Sequence, residues 1–277
     1  MKLRNFNLST ITNKLILANL GVFIILWILM LIFDENMILS LVALQPTSIL
    51  AGKNLWTIIT SMFTHFTFWH LLVNMLSFYF IGNFVEKLIG KKRVLYLYIL
   101  SGLFAGIFWS VLSGFLGFNP ILIKIFGNPL VYGIGASGAL FGFVGVLAVL
   151  TPKTKVYMIA GPIIAIIFQY LLMAILPATS PILSVVNILT TIYFIVAITS
   201  MLSMNPKTRK LGLPLEMPMW LLPIVAILPL ILVGLFVDLP IGNMAHLGGL
   251  IFGLAYAYIL KRRYPQKSRL IASKFNN

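Results

Sequence analysis

The sequence predicts an all-α polytopic membrane protein of about eight transmembrane helices, and three observations carry that prediction. The 277 residues are 60% hydrophobic and only 9% charged, with a mean hydropathy of +1.05. A soluble domain does not have that composition. Apolar runs of span length recur at about 15–33, 70–88, 94–116, 136–150, 156–176, 182–204, 217–237 and 242–260. With the N-terminus in the cytoplasm and the sides alternating, 18 of the 20 Lys and Arg residues fall on the inner side and only Lys53 and Lys124 on the outer. The formal charge of +15 therefore reads as topology, since the bases are divided among loops and gather on no solvated face that could bind nucleic acid. The lipid bilayer is the expected partner, and the expected location is the cell membrane, with both termini cytoplasmic. The absence of cysteine removes disulfides, thiolate metal sites and cysteine nucleophiles.

Residues 1–14 form a cytoplasmic tail carrying Lys2, Arg4 and Lys14. The first run is longer than a signal-peptide core, has no small-residue cleavage site and is followed by Asp34-Glu35, so it reads as an uncleaved helix. Between Asp34 and Trp69 the chain is too apolar for a solvated loop and is expected in the outer interface. The second span opens with His70 and Asn74, whose spacing of four puts both on one helix face. The fourth is short, and its Gly135, Gly138, Gly142 and Gly145 line one face. Gln169 and Asn187, single polar residues of the fifth and sixth spans, are expected to bond a neighbouring helix. In the last span Ala245, Gly249, Gly253 and Ala257 recur every four residues. Helices in lipid associate by close backbone approach at such stripes, so the fourth and last spans are expected to pack together. Residues 261–277 form a basic cytoplasmic tail suited to anionic lipid.

Chemistry centres on Ser137, which stands between Gly135 and Gly138 where a helix begins. A serine hydroxyl attacks a carbonyl only when a base takes its proton, and acyl transfer needs donors for the oxyanion that develops. A helix start supplies unbonded backbone N–H groups. A lone serine in a span more often bonds its own backbone; the flanking glycines and a matching histidine reverse that preference. The candidate bases are His65, His70 and His246, and an ionisable residue inside a span is a functional hypothesis by default. Three crossings separate Ser137 from His246, so their helices run parallel and their outer ends can meet. The acids lie elsewhere: Asp34, Glu35 and Asp238 in outer loops, Glu86 and Glu216 at the inner side. A Ser-His dyad is expected rather than a triad.

His70-x3-Asn74, then Gly135-x-Ser137-Gly138, then Ala245-His246-x2-Gly249-x3-Gly253, each in its own apolar segment, resemble the rhomboid family of intramembrane serine proteases. The resemblance implies one membrane domain over 1–277 with a rhomboid-like six-helix core, to which residues 156–204 add a helical hairpin; two extra crossings preserve the parity. It implies Ser137 as nucleophile, His246 as base, and His70 and Asn74 with the Ser137 amide as oxyanion donors. Phe141 stands where many members have a tyrosine stacked on the base, Gly135, Gly138 and Gly249 support the site, and Asn243 orients its loop or helps solvate it. His65 matches a structural loop histidine and is left out of the chemistry. Trp56 matches an aromatic position of the interfacial loop, whereas Thr57 replaces the arginine that often follows. The implied activity is cleavage of transmembrane segments of membrane-protein substrates near the outer leaflet, with no metal or cofactor. Such substrates unwind locally, because a regular helix hides its carbonyls. Two rivals remain. A small-solute transporter predicts polar groups in several helices, a pattern the sequence lacks; a non-catalytic rhomboid-like binder of membrane clients typically lacks the serine or the histidine, and both are present.

Overall fold

The computed structural model describes residues 8–202, 205–237, 239 and 242–275. Lys2, Arg4, Asp238, the end of the expected hairpin at Met204 and the last two residues of the basic tail lie outside them. In chain order the elements are α1 (Ile11–Leu29), α2 (Glu35–Val42), α3 (Pro46–Leu50), α4 (Thr57–Thr60), α5 (Phe68–Ile89), α6 (Lys91–Leu116), α7 (Ile123–Phe126), α8 (Ser137–Leu150), β1 (Lys155–Ile159), α9 (Ala160–Ile175), α10 (Pro181–Leu202), α11 (Pro206–Arg209), β2 (Pro214–Pro218), α12 (Leu222–Gly234), α13 (Asn243–Arg263) and α14 (Pro265–Phe275). Among the described residues α1, α5, α6, α10 and α13 are long and apolar enough to cross a membrane, and α8, α9 and α12 are shorter apolar helices. The protein is thus a polytopic, helical, integral membrane protein. It divides into two compact units, residues 1–152 with 242–277, and residues 153–241.

In the first unit α1 begins four residues before the apolar run that predicts it. Its polar first turn is paid for by partners: Thr10 accepts from the Asn13 amide, and Glu86 of α5 accepts from the amides of Ile11 at 3.0 Å and Thr12 at 2.9 Å and from the Thr12 hydroxyl. Orphan donors of a helix start are satisfied by a carboxylate from another helix. The segment after α1 is ordered by similar local bonds. Asp34 caps α2, Trp56 Nε1 donates to the Leu41 carbonyl and Thr60 Oγ1 to that of Val42. It docks on α6, where Gly102, Gly106 and Gly114 leave room for Met62, Leu44 and Leu50.

The core of this unit joins α1, α5, α6 and α8. Phe78 stacks on Tyr98 at 5.2 Å and meets Phe143 edge-on at 5.3 Å, all three fully buried. The Tyr98 hydroxyl accepts from Asn19 Nδ2 and donates to the Met62 carbonyl, so its polar end is also satisfied. α8 lies against α6 and α13. Gly138 faces Ala245, Gly142 faces Gly249 and Gly145 faces Leu250 and Leu254, so the numbers rise together and the two helices run parallel.

In the second unit the expected spans at 156 and 217 begin later, at Ala160 and Leu222, because the intervening residues pair as an antiparallel β1–β2 ribbon that sets Tyr157 opposite Glu216. Pro214 and Pro218 bound β2; proline at strand ends suits a two-stranded edge, and it disfavours the helical conformation in the residue before it. Glu216 pairs with Lys155 at 2.7 Å and accepts from Tyr157 Oη at 2.6 Å; these bonds lower its carboxyl pKa and raise that of Lys155. The network is exposed and contributes little to stability. Gln169 of α9 reaches Asn187 of α10 at 3.4 Å, as their isolation in apolar helices predicts.

Candidate active site

The approach to Ser137 is stitched to the chain before α5. Leu44 and Gly133 exchange both backbone hydrogen bonds, and the Gly135 amide donates to the Ser61 carbonyl at 2.8 Å. Gly135 has φ +115°, and a Cβ there would lie 2.7 Å from His70 Cε1 and Nε2. Glycine is required on both counts, conformation and contact. The Ala136 amide donates to His65 Nε2 in a long bond of 3.4 Å. His65 is fully buried, and burial, then the neighbouring His70, push its pKa down to about 3. A neutral imidazole is what an N–H needs as acceptor.

α8 then begins at Ser137 itself. Its first internal bond runs from the Leu140 amide to the Ala136 carbonyl, and no side chain caps it. The Ser137, Gly138 and Ala139 amides therefore stand at an uncapped, positive helix end. Tight packing brings α13 to the same level: a Cβ at Gly249 would collide with the Gly138 carbonyl and one at Gly253 with the Gly142 carbonyl. His246, in the first turn or so of α13, places Nε2 2.8 Å from Ser137 Oγ. Phe141, one turn after the serine, stacks on the His246 ring at 4.5 Å and 20°. Both Ser137 and His246 are half-buried.

His246 Nδ1 is buried without a hydrogen-bond partner, and so is Oδ1 of Asn243, three residues earlier. Among the described residues no carboxylate orients the imidazole as a third member. On the other side of the serine, α5 brings His70 and Asn74 to the Gly135 peptide: Asn74 Nδ2 would lie 3.8 Å from a Cβ at that glycine. Asn74 is buried and spends one N–H on the His70 carbonyl at 3.0 Å, leaving its second. The Thr67 hydroxyl caps α5 by accepting from the His70 amide. A hydroxyl held against an imidazole, beside a free helix amide and two side-chain N–H donors, is the constellation for acyl transfer. Among the described residues no group of three or more His, Asp or Glu is placed to hold a metal.

The structure thus gathers Ser137, His246, Phe141, Gly138 and Gly249 in one contact and His70, Asn74 and Gly135 in the adjoining one, with Asn243 a turn before the histidine. Other residues that set the site carry no signal in the sequence. Ser101 of α6 lies 2.5 Å from the Leu97 carbonyl and 3.0 Å from the Ala139 carbonyl of α8, and nothing in its spacing separates it from other serines that bond back along a helix. Ser61 and Leu44 act through their backbone, where side-chain identity is silent.

Comparison with known proteins bears on the family of the chain. The profile of the Rhomboid domain family matches residues 52–193 and 193–263. The chain is 31% identical over 105 residues to RHOMBOID-like protein 1 of Arabidopsis thaliana, covering 38% of this chain and 23% of that protein. It is 35% identical over 109 residues to Rhomboid protein 1, mitochondrial, of Saccharomyces cerevisiae, covering 39% and 28%. With the Rhomboid protease GlpG of Yersinia pestis the identity is 30% over 106 residues, covering 38% of each. The chain spans between 23% and 38% of the length of these relatives.

Proposed function

The chain belongs to the rhomboid family, and from that premise we propose that it is an intramembrane serine protease whose nucleophile is Ser137 and whose base is His246. The observation that carries the proposal is the 2.8 Å approach of His246 Nε2 to Ser137 Oγ. In the first step Oγ adds to the scissile carbonyl while its proton passes to Nε2. The resulting oxyanion is met by the Ser137 amide and by N–H groups of His70 and Asn74. Collapse breaks the peptide C–N bond, the amine leaves with the proton from His246, and an acyl-serine remains. Water, deprotonated by the same imidazole, adds to that ester and releases the acid. Phe141 holds the ring in plane through both stages.

The substrates are transmembrane segments of other membrane proteins. α8, at 14 residues, rises about 21 Å, less than the roughly 30 Å of a bilayer core. Its first residue therefore sits below the membrane surface, where a cleft must admit water. The distribution of Lys and Arg supports that end lying on the outer side of a cell membrane with both termini in the cytoplasm. In this reading residues 156–204 are a hairpin added to a six-helix core and the chain works as one membrane domain.

A fluorophosphonate probe tests the proposal. Wild-type protein in detergent is expected to become labelled, and Ser137→Ala and His246→Ala to fall to background while remaining folded. Equal labelling of Ser137→Ala removes the nucleophile, and an unlabelled, folded wild type favours the non-catalytic client binder.

A further inference from the structure

The end of the first unit opposite Ser137 holds a shallow recess where α5, α8 and α13 finish, α6 begins and α14 crosses. Polar Arg93, Lys267 and Ser268 line it together with apolar Leu88, Leu150 and Leu260. We infer that this recess binds the phosphate of an anionic phospholipid and that the bound lipid docks α14 to the bundle.

Arg93 is already set for such a ligand. One guanidinium nitrogen donates to the Ile89 carbonyl at 3.1 Å and the group lies 4.6 Å over the Tyr264 ring. Five N–H donors less that one leave a fork, and a fixed guanidinium fork matches phosphate oxygens. No carboxylate among the described residues pairs with Arg93 or Lys267. Glu86, the one acid of α5, has both oxygens engaged by the start of α1. Positive charge also accumulates here without opposition: residues 261–275 include Lys261, Arg262, Arg263, Lys267, Arg269 and Lys274 and no acid.

The apolar half of the lining distinguishes a lipid from a free anion. Leu88 and Leu260 lie near the ends of spanning helices and Leu150 closes α8 beside them, so a phosphate held by Arg93 would have glycerol and acyl carbons beside it at the depth where those spanning helices leave the membrane. α14 has the matching form. It is short, basic and amphipathic, and Leu270 turns outward, 70% exposed. Helices of this kind lie in the headgroup layer and draw on anionic lipid. A second recess on the other flank of α14, lined by Lys261 and again by Ser268, extends the same basic surface.

The test titrates purified full-length protein in detergent with phosphatidylglycerol and follows the unfolding temperature. A saturable rise is expected for the wild type, since a ligand of the folded state stabilises it. Arg93→Gln with Lys267→Gln should weaken the apparent affinity about thirtyfold; Lys267→Glu, which keeps the Arg93 contacts, should weaken it in the same direction. Lys53→Gln, removing a charge elsewhere, should leave the titration unchanged. The inference is overturned if phosphatidylcholine gives the same saturable rise, if inorganic phosphate alone reproduces it, or if both Lys267 variants titrate like the wild type.

Discussion

At the scale of single residues, His65 shows how a site is set by groups that do no chemistry. It accepts from the amide just before the nucleophile, and its ring meets that of His70 edge-on at 5.0 Å. A proton on His65 would remove the acceptor and place a charge in a buried pocket beside a second imidazole. Its pKa is about 3 in the fold and near 6.5 in an unfolded chain. Between those values the unfolded chain binds the proton more readily than the folded one. The neutral residue thus contributes stability that is fully present above about pH 6.5 and is lost as the pH falls toward 3. His65→Gln is expected to flatten the fall of the unfolding temperature over that window. Thermal melts in detergent at stepped pH check this, and parallel wild-type and variant curves would remove the pocket as the cause.

At the scale of elements, the site exists because α8 and α13 approach to backbone contact. Gly249 is the tightest point, where a Cβ meets a carbonyl rather than a flexible side chain. Gly249→Ala is expected to cost about 1–3 kcal/mol through overpacking and, by separating Ser137 from His246, to depress fluorophosphonate labelling. Gly21→Ala in α1 is the control: nothing lies within 4 Å of its Cβ, and alanine gains up to about 1 kcal/mol of helix propensity. A Gly249→Ala protein as stable and as readily labelled as the wild type would show that the stripe does not set the distance. This contact was legible in advance, since small residues at spacings of three and four can mean little else in an apolar helix. The start of α1 was not. Its first turn is polar, and beyond the Thr10 cap its free amides are met by a carboxylate 74 residues away in sequence. The β1–β2 ribbon was hidden for the converse reason: Val156 and Met217 are apolar enough to extend their runs, and only the pairing of two remote segments tells strand from span.

At the scale of the whole molecule, the sequence carries a vectorial statement in its charges. Ser137, His70 and His246 all stand at the N-terminal ends of their helices, so one side of the membrane receives all three. Which side depends on the placement of charge: Lys53 belongs to the loop near that end, and Lys274 to the tail at the other. Residues of a site that meet in one layer were readable from parity and order, whereas bonds such as Asn74 to the His70 carbonyl needed the helix to be built. The native chain has no cysteine, so single substitutions report orientation without background. Both Lys53 and Lys274 are exposed. In intact cells a membrane-impermeant maleimide is expected to label Lys53→Cys and to reach Lys274→Cys only after the membrane is opened. The reverse pattern would move the proposed chemistry to the cytoplasmic face, and labelling of both in intact cells would break the count of crossings from which the shared layer is argued.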